Sequence, residues 1–208
     1  QRFAGMRETM SGFVVYARLE GKKPAIFDAP NWLVLRSRGW LRFVGVEKDN
    51  GPSCLHLSIT EEINGKTGVI IIAPSSFSGF GKWSKTVSGN RPRDYTDFKN
   101  RLADKLLKAV YAELPELRGR LHPMAASTPL TFRDYCGTPR GGLYGTCKSV
   151  DQYPLLPMTK IPGLFLAGQG VIAPGVLGAV ISGVVACGMI VGEEKVLDRI
   201  GRYNCKES

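Results

Sequence analysis

Over the first seventy-odd residues the apolar positions come in short runs, not at helical intervals. Residues 11–20 (SGFVVYARLE) carry Phe13, Val14, Val15 and Tyr16 and predict a strand, which Gly21-Lys22-Lys23-Pro24 breaks. Asn31–Arg36 (NWLVLR) predicts a second strand and Trp40–Val46 a third. After the turn signal Asp49-Asn50-Gly51-Pro52-Ser53, Cys54–Glu61 alternates Leu55, Leu57 and Ile59 against His56, Ser58 and Thr60. A period of two gives that strand one buried and one polar face, with His56 on the polar side. Asn64-Gly65-Lys66 predicts a tight hairpin turn into a more buried strand, Thr67–Ala73. These strands predict a sheet, antiparallel for the most part.

The pattern then changes. Pro74–Pro92 is rich in Ser and Gly and reads as a mobile connection. In Asp94–Leu114, Tyr95, Phe98, Leu102, Leu106, Ala109, Val110 and Leu114 recur at three- and four-residue intervals, which predicts an amphipathic helix covering the sheet. Pro115 ends it. Arg120–Phe132 is expected to be extended, because Pro123 and Pro129 discourage helix, and Gly137–Gly145 (GTPRGGLYG) is a loop suited to close backbone approach. Pro154, Pro157 and Pro162 keep the next segment irregular.

Gly163–Gly192 carries no charge over thirty residues, which suggests a membrane span. Its punctuation argues for something else. Leu164–Ala167 is a run of buried-strand type ending in Gly168-Gln169-Gly170. Pro174-Gly175 then precedes Val176–Val191, an apolar run of helix length whose small residues Gly178, Ala179, Ser182, Gly183, Ala186 and Gly188 allow close packing. A strand, a Gly/Pro loop and a buried helix present backbone N–H groups and a positive helix end to an anion or a polarised carbonyl. A plain buried helix behind an ordinary loop is the alternative. Glu193–Tyr203 continues or ends that helix.

Composition narrows the class. Hydrophobic residues at 43% and charged residues at 22% are those of a soluble globular protein. The net charge of +10 would attract phosphates or anionic surfaces. The basic residues are scattered, however, and Arg36, Arg38 and Arg42, with Arg118 and Arg120, form the nearest approach to clusters. Aromatics do not interleave with them, so a solvated basic surface is expected and no nucleic-acid partner. Cys54, Cys136, Cys147, Cys187 and Cys205 show no C-x-x-C spacing and only His56 and His122 accompany them, so no metal site is expected and the thiols read as reduced, in a cytoplasmic setting.

The run TPLTFRDYCGTPRGGLYG (Thr128–Gly145), followed by IPGLFLAGQGVIAPGVLGAVISGVVACG (Ile161–Gly188), resembles the C-terminal end of FAD-dependent phytoene-desaturase-like oxidoreductases. It looks nearest to their retinol-saturase-like branch, in which the loop has Gly-Gln where Gly-Asp is commoner. The resemblance is close over about sixty residues, and the first 125 follow it loosely in element order. It implies FAD as cofactor and an apolar polyene or isoprenoid-like substrate. It also implies that Gly168, Gln169, Pro174, Gly175, Val176, Leu177 and Gly178 face the flavin. Gln169 still offers hydrogen bonds to ribityl hydroxyls but adds no charge. Tyr135 and Tyr144, flanking the glycine-rich loop, are candidate substrate-lining residues, with ordinary packing as their alternative, and no catalytic residue stands out.

A strand–G-x-G-x-x-G–helix unit for the ADP half of FAD does not occur near Gln1, and Gly168–Ala173 fits G-x-G-x-x-A without the length of chain such a unit needs. The expectation is therefore a C-terminal part of a larger flavoenzyme, inactive alone and unable to retain FAD. The expected fold is α+β: a mixed or antiparallel sheet covered by helices over residues 1–127, with residues 128–208 adding the terminal strand-loop-helix of an FAD-binding Rossmann-type domain. The strand edge and apolar helix of that last piece would be partly uncovered, favouring self-association or a displaced C-terminus, and peripheral contact with a membrane stays open beside them. Two non-enzymatic readings remain beside it: a basic membrane-associated protein anchored by Gly163–Gly192, and a carrier of apolar ligands.

Overall fold

A computed structural model describes residues 5–29, 31–35, 44–60, 66–152 and 155–204. The described residues form two compact units. Met10–Leu143 makes one, and 5–9 with 144–204 makes the other.

The larger unit is an α+β domain. Five strands, β1 (Ser11–Leu19), β2 (Asn31–Leu35), β3 (Cys54–Ile59), β4 (Thr67–Ser75) and β5 (Leu121–Ser127), form one sheet in the order β2-β3-β4-β1-β5. Every pairing is antiparallel. The alternation in the sequence sets the register: Leu55 and Leu57 of β3, Val69, Ile71 and Ala73 of β4, and Phe13, Val15, Ala17 and Leu19 of β1 all turn inward and are buried. Helix α1 (Arg93–Glu113) contributes Leu102, Leu106 and Val110 to the same core. Pro115 follows its end, as expected.

Three expectations change in this unit. Of Trp40–Val46, residues 40–43 lie outside the described residues, and 44–46 form loop and turn. The Asn64-Gly65 turn and the Arg36, Arg38 and Arg42 cluster also lie outside the described residues. The Ser/Gly-rich connection is not a free linker: β4 runs on to Ser75, and Phe77–Trp83 forms a 3-10 helix with Phe80 and Trp83 buried. Its ordering force is aromatic. Phe80 meets Phe98 edge-on at 5.4 Å and Trp83 lies 5.1 Å from Phe98 and 5.6 Å from Tyr95, so α1 holds the segment down.

The extended run expected over Arg120–Phe132 stops at Ser127. Pro129 begins α2 (Pro129–Cys136), because the Thr128 side chain and Thr131 form a capping box and proline is tolerated where its missing N–H would have no partner. A partly buried network fixes α2. Arg91 pairs with Asp134 at 2.5 Å and lies 4.8 Å above the Tyr95 ring, Asp134 also accepts from Arg133 at 2.7 Å, and Arg133 donates to the Ser84 and Thr86 carbonyls.

The smaller unit holds little sheet. The strand expected over Leu164–Ala167 is reduced to a single bridge between Met158 and Phe165, and Leu164 is exposed. A buried strand needs neighbours on both sides, and the described part of this unit supplies only that bridge on one side. Helix α3 (Gly175–Val191) forms where expected, but buries only Gly178, Ser182 and Ala186. Gly192, at φ 101°, ends it, and a separate helix α4 (Glu193–Asn204) follows. No helix among the described residues is long and apolar enough to cross a membrane.

Candidate functional site

Gly178, Ser182 and Ala186 fall at i, i+4 and i+8 and line up on one side of α3. The loop before the helix folds back onto this stripe. The Gly168 N–H donates to Ser182 Oγ at 3.1 Å, and a side chain at Gly178 would collide with the Ala173 carbonyl. Loop and helix start are thus a single folded piece, held by a small-residue contact and one buried hydroxyl. Gly168 has φ 116° and Gly175 φ 80°, both in the region that favours glycine.

A second segment braces the loop. Gly145, at φ 74°, passes so close that a Cβ on it would lie 2.7 Å from Gly170 Cα. Thr146 Oγ1 donates to the Gly170 carbonyl at 2.7 Å, and Lys148 Nζ to that of Val171 at 2.9 Å. Close approach is what the sequence suggested for the glycine-rich loop. Gly141, in the larger unit, shows it again against the Pro129 carbonyl. The start of the chain completes the brace. Arg7 chelates Asp151 at 2.7 Å, while the Gln152 side-chain amide accepts from the Arg7 N–H at 2.7 Å and donates to the Arg7 carbonyl at 3.0 Å. Hydrogen bonds from Ser149 and Arg7 hold the Asp151 carboxyl below the usual carboxylate range.

The mouth of this piece is the N-terminus of α3. Pro174 occupies the cap position and offers no side-chain hydrogen bond. Val176 and Leu177 are 84% and 72% exposed, so this helix start faces outward with its first-turn N–H groups and positive dipole end available. Gly168, Gln169, Pro174, Gly175, Val176, Leu177 and Gly178 are therefore brought together on one loop-helix start. Such a start fits the electron-rich edge of a flavin in chemistry: backbone donors, no acidic side chain, and glycines where bulk would intrude. Ser182 was legible only as a small packing residue. Its hydrogen-bonding role follows from its being the one hydroxyl in α3, one turn beyond Gly178.

Tyr135 and Tyr144 are not brought together by any one unit. Tyr135, at the end of α2, is 75% exposed with its hydroxyl 3.3 Å from Ser88 Oγ, and Tyr144 opens the smaller unit with its N–H on Thr9 Oγ1 at 2.9 Å. Cys54, Cys136, Cys147 and Cys187 are free thiols. Burial pushes the Cys54 thiol up, against a smaller opposing hydrogen bond from Ser53, so it is poorly suited to act as a nucleophile. Among the described residues no His, Cys, Asp and Glu group assembles for a metal. Where α3 and α4 meet, a shallow groove of about 390 Å³ runs between Val184, Met189, Val196 and Leu197.

No protein-family model matches the chain. Human all-trans-retinol 13,14-reductase is 29% identical to it over 142 residues, 65% of this chain and 23% of the relative. The zebrafish (Danio rerio) protein of the same name is 27% identical over 146 residues, 67% of this chain and 24% of the relative, and that of Rattus norvegicus 27% over 128 residues. The chain spans about a quarter of the length of these relatives. The resemblance to the retinol-saturase-like branch, read from Thr128–Gly145 and Ile161–Gly188, is borne out by these matches.

Proposed function

We propose, from this kinship with all-trans-retinol 13,14-reductases, that the chain is the C-terminal portion of an FAD-dependent oxidoreductase acting on a retinoid or related apolar isoprenoid. Residues 1–127 would supply most of the substrate-binding part and 128–208 would complete the flavin-binding part. The observation that carries the reading is the loop-helix start at Gly168–Gly178, which offers backbone donors and a positive helix end without an acid beside them.

Flavin, when bound, supplies hydride transfer, and the protein's task is to bind, orient and exclude water. The N–H groups of Val176 and Leu177 and the α3 dipole favour negative charge on a reduced flavin ring. Gly168 and Gln169 would lie beside its polyol chain, with the Gly168 N–H already donated to Ser182 Oγ. Ser182 fixes Gly168, and through it the loop, so that these donors are preorganised. The substrate would lie on the sheet face opposite α1, where Leu33, Leu35 and Tyr16 are exposed. Peripheral membrane contact fits delivery of so apolar a substrate.

Reading the gene ahead of Gln1 tests this. A strand–Gly-x-Gly-x-x-Gly–helix unit is expected there, and the full-length product should purify with bound FAD and reduce a retinoid double bond. Absence of that unit sinks the proposal. A full-length protein that holds no FAD, or one whose FAD is indifferent to Gly178→Val, argues against the flavin-facing role of this segment.

A further inference from the structure

Gly168–Val171 is a hydrogen-bonded turn, closed by the Val171 N–H on the Gly168 carbonyl at 3.0 Å. The carbonyls of its last two residues are both held by the segment that braces it. Thr146 Oγ1 donates to that of Gly170 at 2.7 Å, and Lys148 Nζ to that of Val171 at 2.9 Å. A planar trans peptide carries its C=O and its N–H on opposite sides. Each clamp therefore also turns an N–H away from the brace, and the two N–H groups differ. The Thr146 clamp holds the peptide whose N–H is that of Val171, already donated to Gly168. The Lys148 clamp holds the next peptide, whose N–H belongs to Ile172 and has no partner among the described residues.

An exposed lysine ordinarily keeps its ammonium in water. Lys148 is exposed, yet its ammonium is given to a main-chain carbonyl a few residues ahead of α3. No carboxylate stands on the Gly168–Gly178 segment to offset it. A ligand rich in acceptor oxygens is served by an oriented backbone donor with positive charge behind it and no acid beside it. Holding the peptide in one orientation before the ligand arrives strengthens binding, because the ordering cost is already met in the folded chain.

We propose that Lys148 is a positioning residue of the cofactor site, holding the peptide between Val171 and Ile172 so that the Ile172 N–H is presented to an acceptor oxygen of the flavin nucleotide. The inference rests on the reading that Gly168–Gly178 faces FAD, and it adds a donor and the side chain that aims it. Lys148 acts through the Val171 carbonyl and takes no part in hydride transfer.

Titration of the full-length apoprotein with FAD tests it. Lys148→Met and Lys148→Gln, neither of which carries an ammonium to the Val171 carbonyl, are each expected to weaken FAD about three- to tenfold, the range of one hydrogen bond. Lys148→Arg, which keeps a long charged donor, should recover most of that loss. Thr146→Val removes the neighbouring clamp without releasing a free N–H, so it should weaken FAD less than Lys148→Met does. A brace that only stiffens the loop predicts equal losses from the two. The Lys148→Met loss should also persist at high salt, because it arises from a fixed peptide and not from a screened charge. Equal losses in Lys148→Met and Thr146→Val, a loss that disappears at high salt, or unchanged FAD affinity in Lys148→Met overturns the positioning role and leaves the flavin reading standing. An unmodified full-length protein that binds no FAD overturns both.

Discussion

The backbone N–H of Gly168 donates to Ser182 Oγ at 3.1 Å across fourteen residues of chain, and Ser182 is fully buried. One hydroxyl inside an apolar helix is therefore one of the contacts that fix where the preceding loop sits. Replacing it by alanine leaves the Gly168 N–H without an acceptor in a part-buried setting, a cost of about 1–2 kcal/mol. Ser182→Ala is expected to lower the denaturation midpoint of the chain and, in the full-length protein, to weaken FAD retention. Ser182→Thr keeps the acceptor and should fall between. A midpoint identical in Ser182→Ala and the unmodified chain would show that the loop is held by other contacts.

Two glycines five residues apart on α3 should respond to alanine with opposite sign. At Gly178 a Cβ collides with the Ala173 carbonyl, whereas at Gly183 nothing lies within 4 Å. Alanine in a helix interior is favoured over glycine by about 1 kcal/mol where space allows. Gly183→Ala should therefore raise stability slightly, and Gly178→Ala should lower it by more than that gain. Paired urea titrations decide the matter, and a stabilising Gly178→Ala would mean that the loop moves freely off the helix.

Asp134 is the charge that α2 cannot lose. Its side chain is 14% exposed, Arg91 is 10% exposed, and Arg133 also points at it. Asp134→Ala leaves two guanidinium groups facing each other with little water, and removal of one partner of a buried pair costs about 3–5 kcal/mol. Removing Asp198, exposed and paired with Arg202 one turn along α4, should cost about 0.5 kcal/mol or less. Chemical denaturation of the two alanine variants gives the comparison directly.

The Asp94 carboxyl is held below the ordinary carboxylate range, first by its hydrogen bond from Lys82 and then by that from Trp83 Nε1 at 3.0 Å. A depressed folded-state pKa adds stability that is present above the unfolded value, about 4, and is lost as pH falls through the folded value. The stability gap between the unmodified chain and Asp94→Asn should accordingly be widest at neutral pH and close on acidification below about pH 4. Trp83 fluorescence is the natural probe, since Asp94 touches its indole. A gap that widens in acid would reverse the sign of the linkage.

The parts of this molecule that were legible beforehand share a physical basis. Strands β1, β3 and β4 and helix α1 each bury a face whose period is written in their own residues, from Leu55 and Leu57 to Leu102 and Leu106. The segments misread depend on distant partners. Phe80 and Trp83 sit among serines and glycines, and only Tyr95 and Phe98 on α1 turn that stretch into an ordered 3-10 helix. Pro129 read as a breaker because its effect depends on Thr128 and Thr131 on either side, which make it a helix start. Leu164–Ala167 has strand composition, but composition cannot provide the neighbouring strands that a buried strand requires. At the candidate site the glycines and the helix were visible, while the role of Ser182 needed the loop to be folded back onto it.

Helix α3 carries the last prediction. Its composition is that of a buried helix, yet Val176, Leu177, Val180 and Ile190 are each more than half exposed. Roughly 25 cal/mol is gained for each Å² of such surface removed from water, so any apolar partner of matching shape will be favoured. The isolated chain has only its own copies to offer at high concentration. Sedimentation velocity should therefore show self-association that grows with protein concentration and is suppressed by Leu177→Glu combined with Val180→Glu, both at exposed positions that cost little in the folded monomer. A strictly monomeric chain at high concentration would mean that α3 is shielded in solution. Persistence of the oligomer in the double variant would place the contact elsewhere, such as at the terminal strands β2 or β5 of the sheet.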